Sequence, residues 1–263
     1  MENSNSPPLH FVIRGEGPPL MLIMGLGADG SVWEEHAKTY EKHFKCYLID
    51  NRGVGRSPKP DGPYTTALMA DDVAALMNAE GISSACVAGL SMGGAIAQEL
   101  ALRHPTKVNK LVLISTWAKC DDYMKRVFTH FKDMRVSSPR DQFIQLLLLW
   151  IWTPAWMNSH SEDMDQACRD AAEDPNPQPR QGFEGQCDAC ITHDATDRLA
   201  NITVPTLITV GTLDIFTPLA CSEFLHAEIP GSRLHRFTRS GHVHHWEELD
   251  EFNTTTTDFL LEP

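Results

Sequence analysis

Short apolar segments alternate with longer helical stretches along most of this chain, and this alternation restricts its fold more than any other feature. Four segments are nearly continuous apolar runs, at Cys46–Asp50, Ala85–Ala88, Lys110–Ser115 and Thr206–Gly211. Such runs are typical of parallel strands that are covered by helices on both faces of a sheet. The alternation therefore predicts an α/β protein with a mostly parallel central sheet flanked by helices.

Further strands and helices complete the predicted order. Two opening strands, Leu9–Arg14 and Leu20–Met24, are separated by a turn signal at Gly15–Pro18, and Leu234–Phe237 is the last and weakest strand. Helices are predicted at Ser31–His43, Thr65–Ala79, Met92–His104, Leu219–Ala227 and His245–Leu260. Pro105 supports the end of the third helix, because proline lacks the amide hydrogen that a continuing helix needs.

Residues 119–196 interrupt the alternation and contain no strand-like run. We interpret them as a helical cap inserted between two parts of one core domain, residues 1–118 and 197–263. The apolar run Phe143–Trp152 is about half the ~20 residues that a membrane helix needs, so a buried helix is expected there. Trp150, Trp152 and Trp156 are predicted to line a substrate pocket, although a small local core explains them equally well.

The chain has 263 residues and a formal net charge of −13. Nucleic acids and anionic membranes are held by clustered lysine and arginine, so this charge argues against both as partners and favours a neutral or apolar small molecule. The first residues, Met1–Pro8, lack the basic start and apolar run of a secretion signal. We expect a cytoplasmic protein with a loose N-terminal tail. The sequence leaves open whether the protein forms a homo-oligomer.

Cysteine usage indicates no metal site. The seven cysteines are interpreted as reduced, buried small hydrophobes. Cys187 and Cys190 form the only Cys-x-x-Cys pair, with His193 nearby, but a structural zinc needs four ligands and no second pair exists.

The strongest local signal is the run Gly89–Gly94 (GLSMGG), which follows a predicted strand and begins a predicted helix. A G-x-S-x-G sequence in this context is typical of a sharp turn that lifts a nucleophilic serine, here Ser91, above the sheet. The turn needs glycine because side chains at positions 89 and 93 would collide with neighbouring backbone. The amide of Met92 then lies where it can stabilise an oxyanion. The alternative is a Gly-Ser turn that only caps a helix.

A serine nucleophile requires a base and, to orient that base, an acid. His242 lies in the loop after the last predicted strand, and Asp214 follows the strand Thr206–Gly211. His244 and His245 are competing candidates; we favour His242 because it follows a flexible glycine-containing turn, and expect the other two to be solvated. The predicted catalytic residues are thus Ser91, Asp214 and His242.

The loop Met24–Gly27 (MGLG) supports two interpretations. It follows an early strand, so the amide of Leu26 is the second predicted oxyanion donor, and Gly25 allows the substrate to approach closely. Gly25, Gly27 and Gly30 also have the spacing of a dinucleotide-binding loop, with Asp50 ending a strand further on. That alternative leaves Ser91, Asp214 and His242 unexplained.

Together these motifs resemble the α/β-hydrolase fold superfamily over almost the whole chain except the cap. The supporting runs are Met24–Gly27, Asp50–Ser57, Gly89–Gly94, Val204–Thr206, Gly211–Asp214 and Gly241–His242. Within it the chain is most similar to small esterases and lactonases such as 3-oxoadipate enol-lactonase. Met24 stands where many members have histidine. Relatives with an aspartate nucleophile are excluded by Ser91, and Arg52 and Ser57 are interpreted as structural.

The resemblance implies a cofactor-free serine hydrolase that cleaves an ester or lactone of a small to medium, largely apolar substrate through an acyl-enzyme. The alternatives are a carbon-carbon bond hydrolase acting on a diketone ring-cleavage product with the same residues, and a non-catalytic binding protein on the same scaffold.

Overall fold

A single seven-stranded sheet organises the molecule in the computed structural model, which describes residues 8–263. The strands are β1 (Phe11–Arg14), β2 (Pro19–Ile23), β3 (Lys45–Ile49), β4 (Ala85–Leu90), β5 (Val108–Ile114), β6 (Thr206–Gly211) and β7 (Arg233–Phe237). Their order across the sheet is β1-β3-β2-β4-β5-β6-β7, and every neighbouring pair is parallel except β1 with β3. The α/β fold with a mostly parallel sheet is confirmed. Of the predicted tail, Met1–Pro8, all but Pro8 lies outside the described residues.

The two opening strands are not neighbours, because β3 lies between them. Gly15, in the turn that joins β1 to β2, shows why the turn must be glycine-rich. Its backbone has φ +71°, and a Cβ there would lie 2.5 Å from the carbonyl oxygens of Glu41 and Phe44. The turn thus packs directly against the segment that leads into β3.

Eleven helices surround the sheet within the described residues. They are α1 (Glu34–Tyr40), α2 (Thr66–Ala79), α3 (Met92–Arg103), α4 (Asp122–Ser137), α5 (Arg140–Ile151), α6 (Pro154–Ser159), α7 (Ser161–Glu173), α8 (Arg180–Thr192), α9 (Leu219–Glu228), α10 (His244–Glu247) and α11 (Leu249–Leu261). The predicted first helix is shorter, since Gly30–Trp33 forms a 3₁₀ turn before α1. The predicted last helix is interrupted at Glu248, whose backbone (φ −129°, ψ 50°) is not helical.

Both faces of the sheet are covered, as the continuous apolar runs predict. Every residue of β4 and of β6 is buried. Along β2, Leu20 and Leu22 belong to the apolar cluster that includes α1 and α11, whereas Met21 and Ile23 belong to the cluster that includes α2 and α3. Alternate side chains of one strand therefore enter opposite cores.

Helices α4–α8 lie within the segment interpreted as a cap (residues 119–196, the cap segment below). Its two ends are joined: Lys119 and Asp194 form an antiparallel bridge, and the Ala195 amide donates to the Ala118 carbonyl at 2.8 Å. The run predicted to be a buried helix is indeed helical in α5, but Leu149 is 60% exposed. Among residues 8–263, no helix has the length and apolarity that crossing a membrane requires.

Candidate active site

Ser91 is the single residue between β4 and α3. Its backbone is left-handed (φ 54°, ψ −117°), a conformation that costs free energy in a residue other than glycine. Two hydrogen bonds hold it there: the Ser91 amide donates to the Ile114 carbonyl at 2.8 Å, and the Thr116 hydroxyl donates to the Ser91 carbonyl at 2.8 Å. The side chain consequently stands at the carboxyl edge of the sheet, in front of the N-terminus of α3.

The glycines around Ser91 are required by close backbone contacts, as the sequence predicts. A Cβ on Gly89 would lie 2.2 Å from the Gly93 carbonyl oxygen, and one on Gly93 would lie 2.2 Å from that of Ile23. A Cβ on Gly25 would meet the Ser91 Cβ at 3.3 Å. The loop that contains Gly25 and the serine turn therefore lie against each other.

Asp214 and His242 meet in a buried hydrogen bond. The Asp214 Oδ2 atom lies 2.8 Å from His242 Nδ1, and the two residues are 5% and 4% exposed. The other oxygen, Oδ1, accepts the amides of Phe216 at 2.8 Å and Thr217 at 2.9 Å. This arrangement fixes the carboxylate and places the Nδ1 proton of the imidazole toward it, which leaves Nε2 free to accept a proton.

Thr217 is a site residue that the sequence reasoning missed. Its hydroxyl lies 2.7 Å from Asp214 Oδ2 and 3.1 Å from His242 Nδ1, and also 3.1 Å from the Ser115 carbonyl oxygen. The only feature of the sequence that could have indicated Thr217 is its position three residues after Asp214, in a turn that the Asp214 side chain itself closes. The hydroxyl limits how the carboxylate and the imidazole can rotate.

A Thr217→Val variant is expected to lower kcat about tenfold for a reaction in which His242 is the base, the effect of losing roughly one hydrogen bond of 1–1.5 kcal/mol. Valine has nearly the same shape but no hydroxyl. Thr217→Ser is the matched control and is expected to restore most of kcat. Equal losses in both variants would show that packing, rather than the hydroxyl, matters at this position.

The expectation that the two competing histidines are solvated was wrong. His244 and His245 are 0% and 1% exposed. His244 bridges the hydroxyl of Ser115, at 3.1 Å from Nδ1, and that of Thr209, at 3.0 Å from Nε2. The loop of His242 turns into α10, so both rings point into the molecule and neither has a hydrogen bond to Asp214 within the described residues.

Ser115 also supports the loop of His242. It follows β5, has a left-handed backbone (φ 44°) and is 0% exposed. Its hydroxyl donates to the His242 carbonyl at 2.7 Å. Ser115 thus also contacts a histidine, His244, but complete burial denies this pair a substrate.

The predicted pocket tryptophans occupy two different places. Trp150 packs on Phe216 with ring centroids 6.5 Å apart, and Phe216 packs on His242 at 4.8 Å. Trp152 stacks on Trp156 at 5.5 Å, and Trp156 stacks on His160 at 3.8 Å. Trp150 is therefore linked to the candidate base through one ring, and a substrate-binding role for all three tryptophans stays a prediction.

The loop that contains Leu26 is held by polar side chains from two other segments. The Asn51 amide group donates to the Met24 carbonyl at 2.8 Å, and the Gly27 amide donates to Gln186 Oε1 at 3.0 Å. Gln186 lies on α8 and also donates to the Arg52 carbonyl at 2.9 Å. No sequence pattern indicates Gln186, which holds the residue next to Leu26 in place.

The residues with dinucleotide-binding spacing have structural roles instead. A Cβ on Gly30 would lie 2.7 Å from the Leu48 carbonyl, so this glycine allows the loop to pack on β3. Asp50 accepts the Gly30 amide at 2.8 Å through Oδ1 and the Arg56 amide at 2.9 Å through Oδ2. With both oxygens bound to backbone amides, Asp50 closes two turns and does not face a ribose.

Arg52 and Ser57 have the structural roles that the sequence analysis expects. The Arg52 guanidinium forms a buried ion pair with Asp72, with one N–O distance of 2.6 Å. The Ser57 hydroxyl donates to the Asp50 carbonyl at 2.6 Å and accepts the His10 amide at 2.8 Å.

The cysteines are all free thiols, and Cys187 and Cys190 are completely buried. Burial raises the pKa of both thiols well above the ordinary value. His193 instead contacts the Thr66 hydroxyl, at 2.9 Å from Nδ1. Within residues 8–263, no group of three or more histidine, cysteine, aspartate or glutamate side chains is arranged to hold a metal ion.

A comparison with known families agrees with this geometry. The family model of the α/β hydrolase fold matches residues 18–249. The chain belongs to the α/β hydrolase family, and hydrolase activity on this scaffold is supported.

Particular relatives and solved structures resemble the chain over nearly its whole length. A protein of Serratia proteamaculans named carbamate hydrolase RutD is 30% identical, with 96% of each chain covered. The crystal structure of an enol-lactonase from Burkholderia xenovorans superposes with a TM-score of 0.90 at 29% identity, covering 98% of each chain. A thermophilic esterase from Thermogutta terrifontis gives 0.85 at 25% identity, covering 96% of this chain and 92% of that one. The resemblance to an enol-lactonase, predicted from motifs, is confirmed.

Proposed function

We propose that this protein is a serine hydrolase that cleaves an ester or lactone of a small molecule through an acyl-enzyme. Ser91 Oγ attacks the carbonyl carbon while its proton passes to His242 Nε2, and Asp214 stabilises the imidazolium that forms. The amides of Leu26 and Met92 donate to the developing oxyanion. His242 then protonates the departing alcohol, and water releases the acid from Ser91.

The observation that carries this proposal is the left-handed backbone of Ser91 at the end of a buried strand. A strained turn persists only where surrounding contacts enforce it, and such strain concentrates at functional sites. The Met92 amide, in the first turn of α3, has no acceptor within its own helix and is free to bind an anion. The buried hydrogen bond between Asp214 and His242 is the second support.

The similarity to solved structures described as an enol-lactonase and an esterase favours ester and lactone bonds. A carbamate is the second candidate, because a relative at 30% identity is named a carbamate hydrolase. The same serine attack would serve both bonds. Hydrolysis of an ester or lactone and hydrolysis of a carbamate differ in the leaving group and in the stability of the acyl-enzyme.

Labelling with a fluorophosphonate probe tests the nucleophile. The probe is expected to add to Ser91 alone, as identified by mass spectrometry of peptides from the intact folded protein. Ser115 is the matched control, because it also has a left-handed backbone but is 0% exposed. Labelling that persists in Ser91→Ala, or that maps to Ser115, contradicts the proposal.

A substrate panel separates the alternatives. Aryl esters, five- and six-membered lactones, aryl carbamates and vinylogous diketones are compared by kcat/KM, with an ester or lactone expected to lead. Leading turnover of the diketones indicates carbon-carbon bond hydrolysis, and leading turnover of the carbamates indicates the second candidate. Binding without turnover of any of them indicates a receptor on the same scaffold.

A further inference from the structure

The loop that contains His242 lies directly against the cap segment. The Val243 amide donates to the Ile151 carbonyl at 3.3 Å. A Cβ on Gly241 would lie 3.3 Å from the same carbonyl oxygen and 3.3 Å from the methyl carbon of Thr153. The junction of α5 and α6 therefore packs on the residues on either side of the candidate base.

One carboxylate joins the two sides of this contact. Glu247, the last residue of α10, accepts the Gly241 amide at 2.6 Å through Oε2. Its other oxygen, Oε1, accepts both the amide and the hydroxyl of Thr153, at 2.7 and 2.8 Å. Thr153 is 5% exposed and begins α6, because its hydroxyl also accepts the Trp156 amide at 3.3 Å. Glu247 therefore connects the start of α6 to the residue before His242.

Three hydrogen bonds hold the backbone around the candidate base. The His242 carbonyl accepts the Ser115 hydroxyl at 2.7 Å. The amides of the residues before and after His242 donate to Glu247 and to the Ile151 carbonyl. Two of the three contacts thus lead into the cap segment. Because the imidazole must stay in line with the Asp214 carboxylate, a small displacement of this backbone moves Nε2 away from the proton that it accepts.

The cap segment also contacts the loop of the candidate acid. The Tyr123 hydroxyl, on α4, donates to the carbonyl of Ile215, the residue after Asp214. The Tyr123 ring packs on Trp150 of α5, with ring centroids 6.5 Å apart. Both Asp214 and His242 therefore belong to loops that the cap segment touches.

We propose that Glu247 is a positioning residue, whose carboxylate transmits the position of the cap segment to His242. This inference rests on the proposed function, because His242 is the base of that reaction. Glu247 acts through the backbone of Gly241. The cap segment then does more than cover a substrate, since the base reaches its working position only when the start of α6 is bound to Glu247.

A purely structural role for Glu247 is the alternative. Three hydrogen bonds to one carboxylate stabilise the folded protein whether or not they orient a base. In that case a substitution lowers the temperature of unfolding and leaves the kcat of the folded protein unchanged. A positioning role instead lowers kcat in protein that is still folded, with little effect on KM. Thermal unfolding and steady-state kinetics on the same variants distinguish the two roles.

Glu247→Gln is the first variant of the test. Glutamine keeps the length of the side chain and one oxygen that can accept Thr153, but its amide nitrogen would face the Gly241 amide, and two donors cannot bind each other. For the best aryl ester, kcat is expected to fall about 10- to 100-fold, the effect of a displacement near 1 Å, while KM changes less than about threefold. Glu247→Asp keeps the charge on a shorter side chain and is expected to fall between.

Thr153→Val tests the end of the link that lies in the cap segment, and it keeps the proposal testable if Glu247→Gln does not fold. Valine has nearly the same shape as threonine but no hydroxyl. The change is expected to lower kcat about three- to tenfold alone, and not further when Glu247→Gln is present, because the link is then already broken. Thr153→Ser is expected to restore kcat. A weaker start of α6 would act equally in both backgrounds, so additive losses overturn the proposal.

Glu251→Gln is the matched control. It removes the same charge four residues further on, where the carboxylate is about half exposed and contacts His235 at 3.1 Å. It is expected to leave kcat unchanged. The proposal is overturned if kcat in folded Glu247→Gln equals that of the parent protein. In that case hydrolysis by Ser91 stands.

Proton NMR provides a readout that does not depend on turnover. The proton that His242 Nδ1 shares with Asp214 is expected to give a sharp downfield signal in the parent protein and in Glu251→Gln. In folded Glu247→Gln the signal is expected to broaden or disappear, because the imidazole is no longer held in line. If no ester or lactone is cleaved but this difference is seen, the proposed function fails and the link from Glu247 to His242 stands. An identical signal in all three proteins overturns the link.

Discussion

Ester hydrolysis is expected to fall about 10⁶-fold in kcat in a Ser91→Ala variant, because removal of the nucleophile leaves only binding and oxyanion stabilisation. His242→Gln is expected to cause a loss of the same order. Asp214→Asn is expected to cost about 10⁴-fold, since an amide favours the wrong imidazole tautomer. Combining these changes is expected to add little, because the three side chains act as one unit. Steady-state kinetics on the best aryl ester measures all four.

The control for His242 is His235→Gln. His235 lies on β7, about one-third exposed, and contacts Glu251 at 3.1 Å, so its substitution is expected to leave kcat unchanged. Retention of kcat within tenfold of the parent in His242→Gln would remove His242 as the base. Thermal unfolding of each variant shows whether a loss of kcat reflects chemistry rather than misfolding.

Stability toward unfolding is expected to fall steeply as the pH decreases from about 6.5 to 5, with a loss of about 2 kcal/mol for each buried histidine. Burial lowers the pKa of His36 and of His193 to about 4. It also lowers the pKa of His244 and His245 well below the ordinary value. Between pH 6.5 and pH 5 these histidines therefore bind protons in the unfolded chain but not in the folded protein. The stability that is present above pH 6.5 is lost as the pH falls through this range.

Together these histidines are expected to remove about 8 kcal/mol by pH 5, comparable to the whole stability of a typical domain. Urea unfolding at pH 7.5, 6 and 5 measures the change. His245→Phe is expected to reduce the slope by about 1.4 kcal/mol per pH unit, because neither ring nitrogen of His245 has a hydrogen-bond partner among the described residues. His130→Gln, at an exposed site on α4, is the control and should leave the slope unchanged. A free energy of unfolding that stays the same from pH 7.5 to pH 5 would contradict the expectation.

The strand runs and the serine turn could be predicted because their causes are local. Strands β4 and β6 are buried on both faces, and that alone requires continuous apolar residues. Gly89 and Gly93 are required by contacts with backbone atoms, which any sequence would present in this turn. Asp214 and His242 could be proposed because each follows a strand that ends at the same edge of the sheet.

The supporting residues could not be predicted, because their contacts join distant parts of the chain. Gln186 holds the Gly27 amide from 159 residues away. His244 lies between Ser115, just after β5, and Thr209, within β6, and only the packed structure shows that its ring turns inward.

The bridge between Lys119 and Asp194 has a consequence for how such proteins diversify. The chain leaves the sheet and returns to it at one point, so β5 and β6 remain neighbours whatever is inserted between them. Helices α4–α7 could thus be lengthened, shortened or exchanged for those of a homologue while the two strands that carry Ser115 and the loop of Asp214 stay side by side. A change of specificity in this architecture requires one graft at one seam, and the graft must keep a partner for the Gly27 amide where Gln186 now stands.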